Sequence, residues 1–84
     1  MIIRSQDKKK IFNLEQIRKI DCETNSVMAD DISVMGTYST EEKAIKVLDM
    51  ICDAYCRMED VKCGAVQAQK HDSFCFNMPQ DSEV

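Results

Sequence analysis

Five cysteines and one histidine are the residues in this 84-residue chain with the most obvious chemistry. Cys52 and Cys56 are four apart, so on a helix their sulfurs share a face. With Cys63 and His71 they make a set of four that could hold tetrahedral zinc. The short C-x-x-C loops that nucleate such sites are absent, and both helical thiols border an apolar stripe where cysteine behaves as a small hydrophobe. The expectation is therefore buried, reduced thiols, no metal and no cofactor. A Cys/His redox or zinc protein is the alternative. Nucleophilic catalysis would need His71 as base, and a chain this short leaves little room for a pocket, a base and an oxyanion hole together. The acid pairs Asp30-Asp31 and Glu41-Glu42 read as turn and helix-start residues, and neither resembles a positioned acid and base. With only Gly36 and Gly64, a glycine-rich phosphate loop is excluded. The chain is not expected to be an enzyme.

Charge gives a second lead. The formal net charge is −4, yet residues 1–20 hold six basic groups against two acids. Arg4, Lys8, Lys10 and Arg18 are the candidate anion ligands, joined by the free N–H groups of a helix expected to start at Ser39. Glu42, at the start of that helix, competes for the same groups. Of six methionines, Met58 falls on the apolar stripe and is read as core, whereas Met50 falls off it and is a candidate contact. The ligand implied is a protein or something nucleotide-like. A small regulatory nucleic-acid module using residues 4–19 is the alternative, although an acidic chain without tryptophan is a poor match to duplex DNA.

These residues need elements to hold them. Ile2-Ile3 opens a strand and Asp7–Lys10 a charged turn. Ile11-Phe12 resumes the extended chain, and Asn13–Gln16 reads as a tight or single helical turn capped by Asn13. Ile17–Cys22 is a strand of loose register, followed by a hairpin turn at Thr24–Ser26. Val27-Met28 and Ile32–Val34 extend the sheet on either side of Asp30-Asp31, and Gly36 ends it. Ser39 and Glu42 have capping-box spacing. Ala44, Val47, Leu48, Ile51, Tyr55 and Met58 then repeat at steps of three and four, the mark of one long amphipathic helix. Val61–Asp72 reads as a loop with a short helical piece, and Ser73–Met78 as a last strand stopped by Pro79. The expected fold is α+β, in the order β-β-β-α-β, with a small antiparallel sheet on one helix. Residues 1–84 form a single domain, with 79–84 as a polar tail.

Three stretches resemble short proteins of Gram-positive gut bacteria, their prophages and other mobile elements: MIIRSQDK at 1–8, GTYSTEEKAIKVLDMI at 36–51 and MPQDSEV at 78–84. They cover 31 of the 84 residues. The resemblance brings no catalytic residue with it. It implies a context in which small acidic proteins bind a host or defence component, sometimes by sequestering its signal nucleotide. The expectation is a non-catalytic binding protein, in its most specific form a mobile-element inhibitor of host defence.

Size and patterning bound the rest. An apolar fraction of 44% and a charged fraction of 31% argue against disorder. No apolar run is long enough to span a membrane, no export signal is visible, and the thiols read as reduced, so the cytoplasm is the expected compartment. A core this thin would gain from shared apolar surface. A homodimer or higher even oligomer is expected, with an interface of Ile45, Cys52, Phe74 and Phe76 and with strand edges at Ile2-Ile3 and Phe74–Phe76.

Overall fold

A computed structural model describes residues 1–62 and 75–84. The elements run β1 (Ile2–Arg4), β2 (Ile11–Asn13), a 3-10 turn (Leu14–Gln16), β3 (Ile20–Glu23), β4 (Ser26–Ala29), β5 (Ser33–Thr37), α1 (Glu41–Lys62), β6 (Cys75–Asn77) and a second 3-10 turn (Asp81–Glu83). The fold is α+β, with the strands divided between two three-stranded sheets rather than one. One sheet has the order β3-β4-β5 and is antiparallel throughout. The other has the order β2-β1-β6, with β1 antiparallel to β2 and parallel to β6.

Helix α1 packs on β3 and β4. Strand alternation explains which residues meet it: Val27 and Ala29 of β4 are buried, and their cross-strand partners Cys22 and Ile20 pack against the same core. The helix contributes Ala44, Val47, Ile51 and Met58, all buried, from the expected stripe. Leu48 is half-buried, and Tyr55 is exposed at the stripe's edge. In the β2-β1-β6 sheet Ile3 is fully buried and stands in register with Phe12 on one side and Phe76 on the other, a single apolar row facing inward. Ile2-Ile3 is therefore the middle of a sheet and not an edge, because β6 returns to pair with it.

Four local expectations are corrected. Gly36 lies inside β5 and does not end it. A bulge sets Val27 opposite Gly36 and Met28 opposite Val34, so Met35 is the extra residue and turns into the core. Gly36 is required by packing: a Cβ there would lie 3.0 Å from Tyr38 Oη and 3.2 Å from its Cε2. Second, the helix is capped by Thr40, whose Oγ1 accepts from Lys43 N at 3.2 Å. Ser39 is one residue too early, so Ser39 and Glu42 form no capping box. Third, Ile17–Lys19 precedes β3 instead of belonging to it. Fourth, residues 79–84 are docked and not a tail. Pro79 is buried, its carbonyl accepts from Tyr38 Oη at 2.9 Å, and Asp81 Oδ1 accepts from Ser39 N at 2.7 Å. The 3-10 turn at Leu14–Gln16 is capped by Asn13 Oδ1 as expected, at 3.1 Å from Glu15 N. The reading of Val61–Asp72 as a loop with a short helix lies, from residue 63 onward, outside the described residues.

Candidate functional site

Arg4 is the last residue of β1, and its neighbours in the sheet are Ile11 and Asn77. After it the chain turns: Lys8 N donates to Ser5 O at 3.0 Å, and Lys8 takes a left-handed φ of 68°. The buried Ser5 hydroxyl donates to Asp7 Oδ1 and accepts from Lys10 N, which clamps the turn from inside. The Ser5 hydroxyl first, and Lys9 N as a further donor to Asp7 Oδ1, hold the Asp7 carboxyl below its ordinary pKa. Arg4 donates through Nε and Nη2 to Lys8 O at 3.4 and 3.2 Å, which orients the guanidinium along the turn.

The result is a groove of about 520 Å3, bounded by Arg4 and Lys8, by Met50 from the helix, and by Asn77, Met78 and Glu83 from the returning chain. Three of the five anticipated contact residues thus meet although 46 positions separate Arg4 from Met50. Met50 is 39% exposed, an apolar wall beside two cations. The acid in the groove is engaged: Glu83 Oε1 accepts from Gln80 N at 2.7 Å within its own turn. The volume lies in the range of small-ligand sites.

The other anticipated residues lie elsewhere. Lys10 borders a second concavity with Gln6, Asp7 and Thr37, and Arg18 borders two more with Lys19. The basic residues of 4–19 thus line different concavities: Arg4 and Lys8 one, Lys10 another, Arg18 and Lys19 two more. The helix start is not an open anion site either. Asp81 sits there, its carboxyl held below the ordinary pKa by the Ser39 N–H bond first and by Lys43, whose Nζ lies 3.5 Å away.

Of the anticipated interface, Ile45 (45% exposed) and Cys52 lie on the outer side of the helix. Phe76 is half-buried and packs against the core, so it is not spare surface. Phe74 lies outside the described residues, as do Cys63 and His71 of the anticipated metal set. Cys52, Cys56 and Cys75 are exposed thiols, not buried ones. Cys22 differs: burial, with lesser contributions from Glu41 and Asp21, pushes its thiol up in pKa, and its Sγ donates to Thr24 O at 3.4 Å.

One cluster was not foreseen from the sequence. Carboxylates of Asp21, Glu23 and Asp31 converge within 4.8 Å of one another. Lys19 lies among them, 2.9 Å from Asp31 and 3.8 Å from Asp21. The hydrogen bond to Asp31 is the main reason its ammonium is raised in pKa. Only strand pairing brings these residues together, and no spacing in the sequence signals it. Among the described residues no helix is long and apolar enough to cross a membrane. No protein-family model, curated protein or solved structure matches the chain.

Proposed function

We propose that this is a non-catalytic binding protein whose ligand is anionic and nucleotide-like, held in the Arg4/Lys8/Met50 groove. The observation that carries this reading is the convergence of two cations and an apolar thioether wall in one groove. Phosphate oxygens suit Arg4 and Lys8, and a base or other flat apolar group suits Met50. Sequestering such a ligand fits the mobile-element resemblance, in which a small acidic protein acts as an inhibitor of host defence. The nucleic-acid alternative needs a continuous basic surface, and it draws less support from cations that line different concavities, Lys10 and Arg18 apart from the groove of Arg4 and Lys8.

Calorimetric titration with ADP and with a cyclic dinucleotide tests the proposal. Saturable binding is expected, weakened by salt and by Lys8→Gly. Glycine suits the left-handed φ of 68°, so the variant removes the charge while easing the backbone. Equal binding by the wild type and by Lys8→Gly, or no binding of either probe at low salt, would overturn it.

A further inference from the structure

Cys52 and Cys56 both lie inside α1 (Glu41–Lys62), one turn apart, and both are exposed. Exposure removes the reason for reading them as small hydrophobes, because a thiol in solvent is open to ligands and a packed one is not. Helix geometry fixes how far apart they stand. Side chains at i and i+4 share a face, with their Cβ atoms roughly 5–6 Å apart.

That spacing sorts the two reactions open to a pair of thiols. A disulfide needs Cβ atoms about 3.5–4.5 Å apart, so this pair closes one only if the turn between them unwinds. A shared ion demands less. Two sulfurs bonded at about 2.3 Å to one tetrahedral ion lie roughly 3.8 Å apart, and rotation about χ1 alone brings helical i, i+4 thiols to that distance. Asp49 and Asp53, also exposed, form a second i, i+4 pair beside the thiols on the same side of the helix, an acidic border that suits a cation. Sulfur then selects among cations, since thiolates hold soft ions and leave Mg2+ and Ca2+ to oxygen ligands.

We infer that Cys52 and Cys56 are a chelating pair for a soft divalent ion such as Zn2+ or Cd2+. Unlike a four-ligand set with Cys63 and His71, the pair needs no residue from beyond the helix. The protein supplies two thiolates and the ion keeps water in its other positions. Binding is an exchange in which two S–H bonds break, two metal–sulfur bonds form and two protons leave to solvent, with no change of oxidation state. Neither cysteine lines the Arg4/Lys8/Met50 groove, so the chelate stands or falls independently of the ligand proposal.

Cd2+ alone, added to the fully reduced protein, is the probe. Uptake is read from thiolate-to-metal charge-transfer absorbance and from the base needed to hold the pH. A variant carrying Cys63→Ser and Cys75→Ser keeps the pair and, besides it, only the half-buried Cys22. It should take up one ion and release two protons. Adding Cys52→Ser or Cys56→Ser should weaken uptake by about a hundredfold or more, because the second ligand of a chelate acts at a high effective concentration. Both positions are exposed, so thermal melting should not change, and Cys52→Ser in the otherwise wild-type chain repeats the test without the other substitutions. Oxidation with diamide gives an independent reading of the geometry: Cys52 and Cys56 should link faster in urea than in buffer. No uptake by the variant that keeps the pair, undiminished uptake after Cys52→Ser, or a disulfide that forms as fast in the folded protein as in urea overturns the inference.

Discussion

Tyr38 ties the returning chain to the strands. It is 2% exposed, its hydroxyl donates to Pro79 O, and its backbone pairs with Asn25 on both sides, through Tyr38 N to Asn25 O and Asn25 Nδ2 to Tyr38 O. Tyr38→Phe keeps the ring and removes the shorter of two donors to the Pro79 carbonyl, leaving Gln6 Nε2 at 3.5 Å, so chemical denaturation should show a loss of about 1 kcal/mol. Burial pushes the Tyr38 phenol up to about 12, which also has a pH signature. A raised folded-state pKa gives stability that is complete below the unfolded value, near 10, and is lost as pH rises through the folded one. Stability of the wild type should therefore fall above pH ~10, and Tyr38→Phe should fall less steeply there. Thiol reactivity is a second residue-scale expectation. Cys22, with its raised pKa and half-buried setting, should alkylate more slowly than Cys52 or Cys75 at neutral pH, as mass spectrometry of partly labelled protein would reveal.

The helix tests how far periodicity reaches. Ile51→Ala removes a side chain that is 6% exposed and should cost roughly 2–4 kcal/mol. Leu48→Ala, at a half-buried position, should cost clearly less, and equal losses would mean the helix is rotated from the orientation described. Capping gives a sharper contrast: Thr40→Ala should cost about 1 kcal/mol, and Glu42→Ala almost nothing, because the cap bond runs from Lys43 N to Thr40 Oγ1. The stripe was legible because a 3.6-residue repeat can bury itself only one way. The cap was not, because Ser39 and Thr40 are both good capping residues and what separates them is distant. Ser39 N is taken by Asp81, 42 positions away. The same holds for the strands. Their existence could be read from β-branched and aromatic residues, but the bulge at Met35 and the division into two sheets depend on cross-strand partners that no local pattern names. Of the candidate site, residue types pointed to Arg4, Lys8 and Met50. Separating them from Lys10 and Arg18 required the fold.

At the scale of the whole molecule, the returning chain is structural. Gln80 Nε2 donates to Gln6 O at 2.8 Å, Gln6 Oε1 accepts from Thr37 N at 2.9 Å, and Lys43 and Ser39 meet Asp81, so residues 79–84 tie both sheets to the helix start. Removing them should lower the thermal midpoint, where loss of a free tail would not. Asp81 adds an acid-side expectation. Its folded-state pKa is depressed, so its contribution is complete above the unfolded value and is lost as pH falls through the folded one, below about 4. Asp81→Asn should be less stable than the wild type at neutral pH, and the difference should shrink in that acid window when urea unfolding is followed against pH. The parallel pairing of β1 with β6 sets Ile3 beside Phe76, joining residues 73 positions apart. On a translating ribosome, β1 and β2 emerge early and must wait with one side of β1 open until Cys75–Asn77 clears the exit tunnel. The β3-β4-β5 sheet and the helix on it draw on no strand later than β5. A chain broken off before Cys75 therefore has the β3-β4-β5 sheet complete and β1 bare on one side, an open edge for quality-control proteases to grip.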